Sequence, residues 1–140
     1  MLELARSKGF VQTRDDLRAL PPDARRTLRE EAAASVPPGT ILDVHLSVPT
    51  HAGFERSVPQ ALTNHVVCVV ILEADPEIIF RRRAQRIGRQ DALQSLDDIA
   101  GQQRFNRSVA ESLHPRRVSV LDANQPSDVV GRHIVKTLSE

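Results

Sequence analysis

The sequence predicts an α/β fold in which a parallel β-sheet is covered by helices on both faces. The clearest strand covers residues 66–72, seven consecutive apolar residues of which five are Val or Ile. A run that is apolar on both faces is typical of a buried parallel strand. Two further strand patterns, at residues 40–46 and 117–121, alternate with helical patterns, and this alternation implies right-handed crossovers between parallel strands.

The chain before the first strand is predicted to be helical. Residues 1–8 have a helical pattern without an N-cap, and Gly9 is a natural C-terminal stop. Residues 13–16, TRDD, have the form of a capping box that opens a second helix. Two prolines at 21–22 end that helix, and a third is predicted over residues 23–35.

The remaining connections are also predicted from local signals. Residues 47–57 look like a loop, and residues 59–64 form at most one helical turn. Asp75 is the predicted N-cap of the helix after the central strand, with a proline at the first helical position. A second capping box opens a long helix over residues 95–113, and residues 127–138 form the closing helix.

Ligands of parallel sheets bind outside the carboxyl ends of the strands. Asp43 and His45 lie at the end of the first predicted strand, and Glu73 and Asp75 follow the second. The sequence therefore predicts a polar site at this edge of the sheet.

An arginine cluster follows the central strand and its helix start. Its members are Arg81, Arg82, Arg83, Arg86 and Arg89. Guanidinium groups present a planar fork of donors that matches phosphate oxygens, so the cluster is a candidate phosphate site. The alternative is a solvated helix face, which is the usual role of such residues.

Composition restricts the class of partner. The 140 residues suit a single domain, 1–140, and the net charge of +1 argues against a general nucleic-acid coat. Four Phe, no Tyr and no Trp leave few platforms for base stacking. The single cysteine, Cys68, lies in the apolar run and cannot form an internal disulfide. With no signal-peptide pattern and no apolar run long enough for a membrane span, a cytoplasmic location is expected.

Several phrases together resemble the archaeal-type adenylate kinases, which are P-loop nucleoside monophosphate kinases. The matching phrases are MLELARSKGFVQTRDDLRALPP, LDVHLSVPTHAGF, ILEADPEIIFRRR, GRQD and QQRFNR, in the order of that family. The resemblance implies a three-layer, P-loop NTPase-like parallel sheet. It also implies Mg²⁺-dependent phosphoryl transfer from ATP to AMP, with residues 1–36 as the monophosphate arm and residues 80–95 as a lid.

The resemblance assigns the AMP side and the metal to particular positions. Arg14 and Arg18 fall in the arm that folds over the monophosphate, and His45 lies close to the same nucleotide. Asp43 takes the place of the acidic residue that supports Mg²⁺ through water. Each of these residues also has an ordinary structural alternative. Arg14 and Arg18 could simply flank a capped helix, Asp43 could be a turn residue at the end of a strand, and His45 could be a structural histidine.

The resemblance assigns the clamp on the transferring phosphates to four arginines. Arg82 and Arg83 match the pair at the entrance of the lid, Arg89 matches a lid residue, and Arg107 matches the helix that returns from the lid. Phosphoryl transfer requires such groups because charge on the equatorial oxygens must be neutralised.

The family's glycine-rich phosphate loop has no counterpart in this sequence. The six glycines are scattered, at Gly9, Gly39, Gly53, Gly88, Gly101 and Gly131. We therefore expect an N-terminally truncated chain that is inactive alone and poorly stable, because the strand between 40–46 and 66–72 is missing. An in-frame glycine-rich loop upstream of Met1 supports this interpretation, whereas an upstream stop codon supports a genuine loop-less protein.

Two other functions stay open. The first is a non-catalytic module that keeps the arm and the basic lid to bind nucleotide or a partner protein. A homo-oligomer or a ribosome-associated role is implied by the resemblance, and direct nucleic-acid binding is otherwise not expected. The second is a generic anion-binding α/β domain.

Overall fold

The structure is a computed structural model that describes residues 13–85 and 95–140, together with residues 7 and 9. Its helices are α1 (Arg14–Ala19), α2 (Pro22–Ala34), α3 (Pro76–Ala84), α4 (Leu96–Glu111) and α5 (Ser127–Ser139), and its strands are β1 (Ser47–Thr50), β2 (Gly53–Arg56), β3 (Cys68–Glu73) and β4 (Arg117–Asp122). The predicted helix at residues 1–8 and lid residues 86–94 lie outside this description, apart from residue 7. The α/β class is confirmed.

The parallel sheet pairs two of the three predicted strands. β3 and β4 run parallel, in register from Cys68 opposite Arg117 to Glu73 opposite Asp122. The connection between them contains α3 and α4, as expected for a parallel pair, which needs a crossover. Both strands therefore end at the same edge of the sheet.

The predicted strand at residues 40–46 is wrong. Residues 41–45 have no regular secondary structure, and Ile41, Leu42 and Val44 are 75%, 40% and 43% exposed. A strand with apolar residues on both faces is stable only when it is paired and covered. The two sheets in the described residues are β1–β2 and β3–β4, and neither contains this segment. Asp43 and His45 consequently do not stand at the end of a strand.

A β-hairpin occupies the region predicted as a loop. β1 and β2 pair antiparallel from Ser47 opposite Arg56 to Thr50 opposite Gly53, leaving a two-residue turn. Gly53 has a φ of +122°, which a side chain would strain. Because Pro49 cannot donate a backbone hydrogen bond, the sequence pattern favoured a loop, but an edge strand tolerates proline.

The hydrophobic core lies between α4 and the segments that precede β3. Four buried side chains form its centre, namely Val58, Leu62, Val109 and Leu113. Partly buried apolar residues from α2, β3 and α4 pack against it, including Ala33, Val69 and Phe105. This packing fixes α4 against the sheet and so determines where its polar residues lie.

The predicted helix caps are confirmed. The Thr13 hydroxyl accepts from the Asp16 amide at 3.1 Å, and the Thr13 amide donates to the Asp16 carboxylate at 2.8 Å. The Ser95 capping box has the same reciprocal bonds, and the Asp75 carboxylate accepts from the Glu77 amide at 2.8 Å. Among the helices in the described part of the chain, none is long and apolar enough to cross a membrane.

Candidate functional site

Polar groups meet where β3 and β4 end, and we call this set the carboxyl edge: Glu73, Asp75, Asp122 and Asn124. The Ala123 amide donates to the Glu73 carbonyl oxygen at 2.6 Å. The Asp75 amide donates to Asn124 Oδ1 at 3.1 Å, and the Asn124 amide donates to Asp122 Oδ1 at 2.8 Å. These bonds join the two strand ends into one framework.

Arg107 of α4 forms a bidentate ion pair with Glu73 at this edge. Arg107 Nε donates to Glu73 Oε1 at 2.8 Å, and Nη2 donates to Oε2 at 2.5 Å. The hydrogen bonds that Arg107 donates to Glu73, together with the negative charge of that carboxylate, raise the pKa of the Arg107 guanidinium above its ordinary value. Gln103, one turn earlier on α4, donates to the Ala74 carbonyl oxygen at 2.7 Å. Two side chains of α4 thus attach it to the end of β3.

An open cavity of about 690 Å³ adjoins the carboxyl edge. Its walls come from the end of β3, from α3, from the turn after β4 and from the start of α5. Arg82 supplies the cationic side chain of the lining, while Leu72, Val130 and Ile134 supply apolar surface. Asn124 borders this cavity and also a second one of about 340 Å³ that contains Glu73.

The larger cavity presents an apolar surface bordered by the Arg82 cation and by the side-chain amides of Asn124 and Gln125. The smaller cavity is lined instead by the carboxylates of Glu73 and Asp122. A base or ribose can be covered by the apolar side chains, and a phosphate can be held by guanidinium and amide donors. The arrangement is therefore chemically suited to a nucleotide.

The predicted AMP-side residues belong to two segments that precede β1 in the chain. Arg14 and Arg18 lie on α1, one helical turn apart. Asp43 and His45 are exposed on the irregular segment before β1. Within the described residues, no hydrogen bond or ion pair joins Asp43 or His45 to the carboxyl edge.

The four arginines of the predicted phosphate clamp lie in different places. Arg82 lines the larger cavity and Arg107 is held at the carboxyl edge. Arg83 is exposed in the last turn of α3. Arg89 lies outside the described residues.

The sequence interpretation did not assign Asn124, Asp122 or Gln103 to the site. Asp122 and Asn124 follow the third predicted strand in the same way that Glu73 and Asp75 follow the second. That symmetry was the available signal, since parallel strands end at one edge. Gln103 gives no such signal, because a glutamine on a long helix is ordinary surface composition.

The donor set for the expected Mg²⁺ is sparse. Within residues 13–85 and 95–140, no three His, Cys, Asp or Glu side chains come together as metal ligands. Protein-bound Mg²⁺ usually needs only one or two carboxylates, because water and substrate phosphates complete its shell. The exposed carboxylate of Asp43 is compatible with that mode, since it can reach a hydrated ion.

Comparison with known proteins identifies the family. A sequence model described as an AAA domain matches residues 1–100. The chain is 35% identical over 117 residues to an adenylate kinase of Methanothermobacter thermautotrophicus, covering 79% of this chain and 63% of that protein. It is 32% identical over 114 residues to an adenylate kinase of Thermoplasma acidophilum, and the alignment covers 79% of this chain and 62% of that protein.

A third relative aligns along the whole chain. The adenylate kinase of Thermococcus onnurineus is 27% identical over 148 aligned positions, covering 100% of this chain and 72% of that protein. In the first two relatives, this chain spans only about three fifths of the protein's length. The matches confirm the P-loop NTPase-like α/β fold class. The chain therefore belongs to the AAA domain family and is similar to archaeal adenylate kinases.

Proposed function

We propose that this chain is the greater part of a nucleoside monophosphate kinase of the adenylate kinase type. The complete enzyme would transfer the γ-phosphoryl group of ATP to AMP with Mg²⁺, giving two ADP in the cytoplasm. The relatives are named adenylate kinases, which supports this activity. The chain itself is proposed to bind nucleotide at the carboxyl edge and to transfer phosphate poorly when alone.

The observation that carries the proposal is the Arg82-lined cavity beside the Arg107–Glu73 pair. A volume of about 690 Å³ falls within the usual range for small-molecule sites. Arg82 of α3 lines the larger cavity. Arg107 of α4 pairs with Glu73, which lines the second cavity, and Asn124 borders both cavities. Two cationic side chains around this edge favour a ligand with several anionic oxygens, because guanidinium groups donate charge-assisted hydrogen bonds to such oxygens.

The other assignments from the resemblance are proposals of the same kind. Arg83 and Arg89 would complete the clamp when the lid closes and excludes water. Arg14, Arg18 and His45 would contact AMP after the arm folds over it. Mg²⁺ would enter with ATP, be held mainly by phosphates, and be supported through water by Asp43; it would supply charge neutralisation there.

Calorimetric titration with ATP tests the site through two adjacent arginines. We expect Arg82→Ala to weaken ATP binding by about 10- to 100-fold, because it removes a charge-assisted contact of roughly 1.5–3 kcal/mol. Arg81→Ala is the matched control, since Arg81 is the preceding residue of the same helix and does not line the cavity. Equal weakening by both substitutions would show a diffuse charge effect and refute a site at Arg82.

The second candidate function is a non-catalytic nucleotide- or partner-binding module. The scattered glycines favour it, because no backbone cradle for the ATP phosphates is visible in this sequence. ADP formation from ATP and AMP distinguishes the kinase from the module. If the chain is part of a kinase, joining the glycine-rich segment of a relative to it restores turnover. If the chain is a non-catalytic module, the same fusion forms no ADP. AMP binding that survives both Arg89→Ala and Arg107→Ala would instead favour a generic anion-binding domain.

A further inference from the structure

The Glu73 side chain is almost enclosed, while that of its partner Arg107 is not. The Glu73 side chain is 14% exposed, whereas the Arg107 side chain is 55% exposed. The backbone of Glu73 is fixed as the last residue of β3 and by the bond from the Ala123 amide. The carboxylate is therefore the anchored member of the pair, and the guanidinium is the member that solvent and ligands can reach.

The bidentate geometry leaves part of the guanidinium available. Arginine has five N–H donors, and the pair with Glu73 uses one on Nε and one on Nη2. No hydrogen bond from Arg107 Nη1 is found among the residues that the structure describes. The same guanidinium can therefore hold Glu73 along one side and donate to an anionic oxygen from Nη1.

The helix that carries Arg107 is also fixed close to the pair. Gln103 binds the carbonyl oxygen of Ala74, which directly follows Glu73. Asn124 binds the amide of Asp75, so the chain on both sides of Ala74 is tied down. An arginine on a surface helix otherwise samples many rotamers, and ordering it upon ligand binding costs conformational entropy. The Glu73 carboxylate removes that freedom before any ligand arrives.

We propose that Glu73 is a positioning residue that orients Arg107 for contact with nucleotide phosphate through Nη1. The inference rests on the proposed function, because it requires a phosphate group at the carboxyl edge. Glu73 itself does not contact the phosphate. Its carboxylate fixes the plane of the guanidinium. This requires the length of a glutamate side chain, because a shorter side chain would hold the guanidinium in a different place.

Two other roles of Glu73 make different predictions. A purely structural tie between α4 and β3 would contribute to stability and not to phosphate affinity. If Glu73 instead competes with phosphate for Arg107, weakening the contact between Glu73 and Arg107 would tighten phosphate binding. Glu73→Asp distinguishes all three, because it keeps the negative charge and shortens the side chain by one methylene.

The test is a double-mutant cycle in which inorganic triphosphate is titrated calorimetrically into the full chain. We expect Glu73→Asp to weaken triphosphate binding by about 10-fold, because it misplaces the charge-assisted contact from Arg107, and losing such a contact outright costs about 10- to 100-fold. In an Arg107→Ala background the same substitution should change the affinity less than about 2-fold, because the group being positioned is gone. Asp128→Glu is the matched control; it changes the length of an exposed carboxylate that pairs with Arg132.

The outcomes separate this inference from the proposed function. If the unmodified chain does not bind triphosphate, the proposed phosphate site and the inference fail together. If it binds but Glu73→Asp leaves the affinity unchanged, tightens it, or weakens it equally in both backgrounds, only the role of Glu73 is overturned. Circular dichroism and thermal melting of each variant confirm that the variants are folded as the unmodified chain is.

Discussion

At the scale of single residues, carboxylates of this protein join segments that are far apart in the chain. Glu73 and Arg107 join β3 to α4, and Glu30 accepts from the amides of Gln60 and Ala61 at 2.8 and 2.9 Å. Each pair satisfies backbone or charged donors that would be costly to leave without a partner. Arg107, which the resemblance assigns to phosphate, is thus held by Glu73, a residue to which the resemblance assigns no role.

The Ser95 cap gives a prediction at the same scale. The Asp98 amide donates to Ser95 Oγ at 3.1 Å, and the Ser95 amide donates to the Asp98 carboxylate at 2.9 Å. We expect Ser95→Ala to lower the free energy of unfolding by about 1 kcal/mol, and Ser95→Gly by only a few tenths. Urea denaturation measures both, and equal losses would contradict a capping role.

The same cap sets a pH dependence. Hydrogen bonds from Ser95 lower the pKa of Asp98 below its ordinary value of 3.8. A carboxyl whose pKa is lower in the folded state stabilises the fold above the unfolded pKa and loses that contribution as pH falls through the folded pKa. The stability difference between the unmodified chain and Ser95→Ala should therefore narrow below pH 3.8.

Candidate residues were predictable from the sequence where local position was sufficient. Glu73 and Asp75 were placed at a strand end because they directly follow an apolar run, and the structure confirms that position. Arg107 was assigned from a matching phrase, yet its pairing with Glu73 joins residues 34 positions apart. Such a contact depends on how α4 packs on the sheet, which local sequence patterns do not specify.

At the scale of elements, helices were predicted more accurately than strands. Every helix start in the described residues after residue 60 has a cap or a proline that marks it, and these signals act over three or four residues. A strand depends instead on a partner far along the chain. Residues 40–46 have a strand-like sequence but no partner in the described sheets, and therefore remain irregular.

This unpaired segment predicts low stability for the isolated chain. Ile41 and Val44 are exposed, and the β3 side of the sheet also exposes Val67 and Leu72, at 63% and 50%. Apolar surface left in water contributes nothing to folding, and an unpaired strand edge promotes association. We expect thermal unfolding to be broad and centred below the roughly 45–65 °C of mesophile domains. A sharp, concentration-independent transition within or above that range would refute this expectation.

At the scale of the whole molecule, α4 organises the fold. It contacts β1, β2, β3 and α3, so the hairpin and the parallel sheet share one helix. Its buried residues Ile99, Val109 and Ala110 pack into the molecule, while Gln103 and Arg107 face the end of β3. The helix that stabilises the core is thus the one that carries a proposed phosphate ligand.

The proposed function requires that nucleotide binds at the carboxyl edge of the parallel sheet. A titration of the ¹⁵N-labelled chain with ATP, followed by ¹H–¹⁵N correlation spectra, tests it residue by residue. We predict concentration-dependent shifts for the amides of Glu73, Asp75 and Asn124, and for the Arg107 Nε–H resonance. The amides of α2 should not shift. Saturating ATP that leaves the carboxyl-edge signals unchanged, or that shifts α2 instead, would contradict the claim.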